Sequence, residues 1–227
     1  MEHVLDNPAW NALISGNKNL AEGNGRVKFF PADISPFAGM PEFNPDNFRL
    51  LYESVALKRT LALIAPEEIV IPQPWEIRED INILQMVYDH SSLPALSQIK
   101  TAIIPLQKKN VPEMLALTKM MRPGPFLERT IDFGHYEGIF KDGRLIAMAG
   151  QRLHANQYRE ISAVCTHPDH LGKGYAGLLI IRQIHRIKAA GGIPFLHVKD
   201  NNNGAIRLYE TIGFNTRRQV KIYIIRK

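Results

Sequence analysis

Thr166-His167-Pro168-Asp169-His170-Leu171-Gly172-Lys173-Gly174-Tyr175-Ala176 is the stretch on which the fold turns. On its N-terminal side, Tyr158 to Cys165 alternates like a strand. On its C-terminal side, Gly172 to Ala190 places Ala176, Leu179, Ile180, Gln183, Ile184 and Ile187 at helical spacing, and Gly191-Gly192 ends the run. The segment therefore hands a strand over to a helix through a glycine-containing loop. Gly172 and Gly174 let the backbone approach a ligand closely and adopt angles closed to other residues. The first amides of a helix have no partners inside it and carry the positive end of the macrodipole. A pyrophosphate is the natural occupant of such a place. Lys173 adds a positive charge there, and Pro168 fixes the chain as it leaves the strand. A single Gly-x-Gly is equally compatible with an ordinary turn and helix start.

Downstream, Pro194 to Val198 reads as a strand, Asn202 to Thr211 as a helix, and Gly213 onward as one or two strands. Asn202 is placed to cap its helix, with Asn201 and Asn203 as competitors. Tyr209 lies seven residues on, two helical turns, and shares the face of Asn202. It is a core aromatic or, beside a developing thiolate, a proton donor. Upstream, His135 to Phe140 and Arg144 to Leu153 form a hairpin around Lys141-Asp142-Gly143. Before it, Ala102 to Leu106 is a strand candidate. Asn110-Val111-Pro112-Glu113 opens a helix whose inner face is Met114, Leu117, Thr118 and Met121, and Pro123-Gly124-Pro125 stops it. Hairpins followed by a strand–helix–strand crossover indicate an α/β (α+β) fold built on a mixed sheet.

The first hundred residues have a different texture. Phe30 to Phe37 and Pro41 to Pro45 are too rich in proline for helix interior. Asn47 to Arg59 is predicted helical, Leu61 to Ala65 and Glu68 to Ile71 as strands, and Asp80 to Tyr88 as a helix with Ile81, Leu84, Val87 and Tyr88 in step. The chain is thus expected to divide into an N-terminal α/β half, residues 1–100, and a second domain, residues 101–227. Charge divides similarly, with 10 Lys and Arg against 13 Asp and Glu in residues 1–110, and 18 against 9 in residues 111–227. A basic half concentrates anions. A solvated basic surface, nucleic acid and a small polyanionic cofactor all fit that balance, though the half holds no dense Lys/Arg run and no nucleic-acid motif. The single cysteine, Cys165, excludes an internal disulfide framework. Met1 to Leu20 lacks the pattern of a secretory signal, and no apolar run is long enough to span a bilayer, so a cytoplasmic chain without membrane partners is expected.

Glu160-Ile161-Ser162-Ala163-Val164-Cys165-Thr166-His167-Pro168-Asp169-His170-Leu171-Gly172-Lys173-Gly174-Tyr175-Ala176 resembles the signature motif of the GNAT superfamily of N-acetyltransferases. Asn202-x-x-Ala205-x-x-Leu208-Tyr209-x-x-x-Gly213-Phe214 resembles its second motif. The resemblance covers about residues 100 to 227 and lies closest to the branch with an extra N-terminal half, which can be a degenerate copy of the same fold. It implies a twisted, mostly antiparallel sheet flanked by helices. It implies acetyl-CoA as co-substrate, no metal, and a small-molecule or peptide amine as acceptor, in a monomer or homodimer. Leu171, Gly172, Lys173, Gly174, Tyr175 and Ala176 would bind the pyrophosphate through amides. Val164, Cys165 and Thr166 would pair with the pantetheine arm, the amide of Cys165 serving as oxyanion donor. Asn202 would contact the cofactor, and Tyr209 would protonate the leaving thiolate. Asp169 departs from the Gln or Arg of the family pattern, which removes a side-chain phosphate contact and leaves the amides intact.

The general base is open between residues. Glu160, at the start of the central strand, is either that base or a surface carboxylate paired with Arg159; Glu137 and His154 are alternates. His135, His167 and His170 suit turns. Cys165 has no histidine fixed beside it and is read as a small strand residue with a functional backbone. Three functions follow: an enzyme that moves an acetyl group to an amine by direct attack, a catalytically silent acyl-CoA-binding or sensory module, and a nucleic-acid protein resting on the basic half alone.

Overall fold

The computed structural model describes residues 3–95 and 100–227. It is built on one eight-stranded sheet. Its strands are β4 (Thr60–Ala65), β5 (Glu76–Val87), β6 (Ile104–Pro105), β7 (Glu137–Lys141), β8 (Arg144–Ala155), β9 (Tyr158–Thr166), β10 (Ile193–Lys199) and β11 (Asn215–Arg226). Their spatial order is β4-β11-β5-β10-β9-β8-β7-β6. All described pairs are antiparallel except β9 with β10. A small sheet of β1 (Glu22–Gly23), β2 (Lys28–Phe29) and β3 (Ala38–Gly39) lies apart in the N-terminal region.

Among the described residues five α-helices complete the fold: α1 (Pro8–Ile14), α2 (Pro45–Ser54), α3 (Val111–Met121), α4 (Tyr175–Ala189) and α5 (Asn203–Ile212). α2 starts where Asn44 accepts a hydrogen bond from the amide of Asn47 and Pro45 takes a position that needs no donor. The apolar faces of α4 and α5 cover one side of the sheet, with Ile180, Ile184, Ile187 and Tyr209 against Ile161, Leu196 and Val198. α1, α3 and the proline-rich segment cover the other, where Leu13, Phe37, Met114 and Leu117 pack with Met148, Cys165 and Phe195.

The mixed, mostly antiparallel sheet expected from the sequence is present, with two corrections in the first hundred residues. Asp80 to Tyr88 is not a helix: it belongs to β5, seated between β10 and β11. From Ile83 to Val87 the strand is packed on both faces, while Glu76 to Asp80 is exposed, and where both faces are packed apolar residues fall at helical spacing as readily as at alternate positions. Glu68 to Ile71 forms no strand. Pro72 and Pro74 follow it, and proline cannot donate to a ladder. Strands from both sides of residue 100 therefore share one sheet.

Candidate active site

β9 and β10 pair in parallel only from Ile193/Tyr158 to Phe195/Glu160. Beyond that point β9 continues to Thr166 and β10 to Lys199 with no further pairing between them. The strands part, and the β10-facing edge of β9 from Ile161 to Thr166 has no neighbouring strand. Along the same stretch the β8–β9 register shifts, three residues of β9 spanning two of β8, and Ala163 takes a φ of 53°. This is a bulge, which turns the backbone of β9 relative to its partner. Val164, Cys165 and Thr166 lie on this edge, and the buried hydroxyl of Thr166 has no partner among the described residues.

β9 leads directly into the loop. His167 accepts at its ring from the amide of Asp169, so Asp169 is held by a local turn. Gly172 and Gly174 have φ of 73° and 76°, the left-handed region that glycine enters without strain. Gly174 is the N-cap of α4, and no side chain caps that helix. Its first amides receive no side-chain cap, and a side chain on Gly172 would meet nothing within 4 Å. Lys173 arches over the loop, its Nζ donating to the carbonyl of Asp169 at 3.1 Å. Tyr175 and Ala176 form the first turn behind it, and Leu171 is exposed beside it. An uncapped helix start facing an unpaired strand edge fits a molecule with an anionic end and an amide-bearing arm, as coenzyme A has.

α5 lies across the same opening. Asn202 caps it, its Oδ1 accepting from the amide of Ala205 at 3.2 Å. A side chain on Gly177, in the first turn of α4, would stand 3.6 Å from Leu208. Tyr209 follows Leu208 and is buried with Ile161, Ile180 and Phe214. Burial pushes its phenol up to about 12, so it keeps its proton at neutral pH. The Cys165 thiol is likewise pushed up by burial, to about 12, which suits an inert thiol.

Glu160 stands at the apex where the strands part, on the face opposite Tyr209, and is fully buried. It is no surface carboxylate, and its partner is not Arg159, which donates instead to the carbonyls of Asn156 and Tyr158. Arg152 grips it in a fork, Nε to Oε2 at 2.8 Å and Nη2 to Oε1 at 2.6 Å. The amide of Leu153 donates to Oε2 at 3.3 Å and His197 Nδ1 meets Oε1 at 2.8 Å. Burial would raise this carboxyl; Arg152 and His197 outweigh it and hold it well below the usual carboxylate range. The row continues across the sheet. Gln85 Oε1 accepts from Arg217 and its Nε2 donates to the carbonyl of Leu5, which fixes the amide's orientation. Gln85 Nε2 therefore donates to His197 Nε2 at 3.1 Å, and His197 carries its proton on Nδ1, toward Glu160. Arg217 in turn donates to Asp6 at 2.7 Å.

The alternate bases lie elsewhere. Glu137 is buried against Arg186 and Gln183 on α4. His154 stacks on His135 at 6.4 Å, and burial, aided by Arg159, lowers it to about 4. Neither Arg152 and His197, the side-chain partners of Glu160, nor Gln85 behind His197 was legible in the sequence. The hairpin register between β8 and β9, which brings residue 152 near residue 160, was the one signal available.

Comparison with known proteins places this geometry. The family profile described as FR47-like protein matches residues 136–223. A solved structure from Novosphingobium aromaticivorans, assigned to the GNAT family, is 33% identical over 99% of this chain and 98% of its own, with a TM-score of 0.90. The chain belongs to the GNAT superfamily. Mycothiol acetyltransferase of Thermomonospora curvata is 33% identical over 82 residues, a match spanning 34% of this chain and 27% of that protein. A GCN5-related N-acetyltransferase from Kribbella flavida, 13% identical, covers 97% of this chain and 95% of its own at a TM-score of 0.62, a likeness of fold alone. In this GNAT chain, the N-terminal strand β5 fills the slot between β10 and β11. Among the described residues no helix is long and apolar enough to cross a membrane.

Proposed function

We propose that this chain transfers an acetyl group from acetyl-CoA to an amine by direct attack. The observation that carries the reading is the uncapped start of α4 at Gly174, set against the unpaired edge of β9. On this reading the amides of Leu171 to Ala176 hold the pyrophosphate, with Lys173 adding charge. Val164, Cys165 and Thr166 pair with the pantetheine arm, and the Cys165 amide polarises the thioester carbonyl. Asn202 keeps its Oδ1 on the α5 cap and has its side-chain NH₂ left for the cofactor. The amine nitrogen bonds to the carbonyl carbon, the carbon–sulfur bond breaks, and Tyr209 gives its proton to the departing thiolate. Residues 101–227 carry these groups, and residues 1–100 complete their sheet.

On this reading Glu160 is neither the general base nor a surface carboxylate paired with Arg159. A carboxylate with four donors on its two oxygens, held ionised, is a weak proton acceptor. It pins β8, β9 and β10 together where the opening begins, and the amine loses its proton to water. The same saturation favours a second reading, a module that binds acetyl-CoA without catalysis. Thiol release from acetyl-CoA across a panel of amines separates the two: turnover supports the enzyme, and tight binding with no turnover on any amine supports the module.

A further inference from the structure

A cleft of about 400 Å³ opens between α3 and the turn that follows it, lined by Leu115, Thr118, Lys119, Arg122, Gly124 and Phe126. Its charged residues are both cations. Neither Lys119 nor Arg122 makes an ion pair among the described residues. Next to its Gly124 stands Arg152, whose Nη1 lies 3.9 Å from where a side chain on Gly124 would begin. Arg152 is only 8% exposed, with its guanidinium over the ring of Phe37 at 4.7 Å. Its Nε and Nη2 are spent on Glu160, while Nη1 makes no hydrogen bond among the described residues. Behind Phe126, edge-on at 5.6 Å, is Tyr136, whose buried hydroxyl also lacks a partner among the described residues. A guanidinium donor with no protein acceptor among the described residues, beside a cleft whose charged residues are both cations, is matched in charge and geometry by an anionic acceptor group.

Resting on the acyl-transfer reading, we infer that this cleft holds the acceptor and selects an apolar amine bearing a carboxylate, of the amino-acid type. The carboxylate accepts from Arg152 Nη1 and faces Lys119 and Arg122; the apolar side chain lies on Leu115 and Phe126. Arg152 is one hydrogen bond from Glu160, the last paired residue of β9 before the strands part. An amine one carbon from that carboxylate is therefore kept beside the opening.

The test pairs leucine with leucinamide and phenylalanine with phenylalaninamide. Binding to the full chain is measured by calorimetry with coenzyme A present, and kcat/KM by thiol release from acetyl-CoA. The acids are expected to bind at least about tenfold more tightly than their amides, the scale of one charge-assisted hydrogen bond. The double variant Lys119→Gln/Arg122→Gln, confined to exposed side chains, is expected to narrow that ratio several-fold. Equal binding of acid and amide, binding of neither, or a ratio untouched by the double variant overturns the inference. Turnover of amines without acid preference sinks the inference and spares the acyl-transfer reading. Acid-selective binding with no thiol release on any amine keeps a carboxylate-selective cleft but sinks the acyl-transfer reading, and with it the cleft's role as the acceptor site.

Discussion

At Glu160 burial and charge pull in opposite directions, and charge wins. The carboxyl is held below its ordinary range, so its stabilising contribution is present above about 4.5 and is lost as pH falls toward the folded-state value. Glu160→Gln leaves Arg152 charged and buried without its counter-charge, a change that costs about 3 kcal/mol or more. A chemical-denaturation series at pH 7 checks that loss. His154 runs the other way. Its folded-state value of about 4 lies below its ordinary 6.5, so the unfolded chain binds the extra proton between those pH values and stability drops as pH falls through that window. His154→Gln is expected to flatten the stability curve between pH 6.5 and 4.5; an unchanged slope would count against a buried neutral imidazole. Tyr209, protonated up to about 12, can donate throughout the working range. Tyr209→Phe is expected to lower kcat by about 100-fold in thiol-release assays, the scale of a general acid. Turnover unchanged from pH 6 to 9 would remove Tyr209 from its role. Glu160, Asn202 and Tyr209 could be singled out from the sequence because each lies in one of the two motifs, Glu160 ahead of the glycine loop, Asn202 at a helix start and Tyr209 two turns on. Arg152, His197 and Gln85 could not, because their contacts run between strands whose register no local pattern records.

The elements of the second half were read with near-correct bounds because each carries its own punctuation. Asp142-Gly143 turns the hairpin, Gly174 opens α4, Asn202 caps α5 and Gly213 ends it. β5 has no such marks. Ile83, Gln85 and Val87 point one way, Leu84 and Met86 the other, and both faces are covered. Nothing local separates that from a helix; only the neighbours β10 and β11 do. The loop before α4 depends on conformation more than on space. Gly172→Ala meets no steric obstacle but must hold a left-handed φ, so about 1 kcal/mol of stability should be lost. Weaker coenzyme A binding should accompany that loss, and calorimetry with thermal melts reads both. A variant as stable and as tightly binding as the parent would show that the loop does not need its left-handed turn.

On the scale of the molecule, the sheet ignores the boundary that composition suggests near residue 100. β11 pairs with β4 on one side and β5 on the other, and β5 also pairs with β10. Residues 101–227 produced alone would leave β10 and β11 with open edges and an exposed apolar face. That fragment is expected to be unfolded or aggregated by circular dichroism and gel filtration, and a cooperative melt from it would refute the shared sheet. The interleaving also has a consequence in time. Ile64 and Ile81 both meet Ile222, so the early strands wait for the last one. Contacts of such separation close slowly, because the chain between them must first surrender its freedom. As the polypeptide emerges during synthesis, β5 has no strand partner until β10 arrives and β4 none until β11 does, and it is in that interval that the protein is most in need of a chaperone.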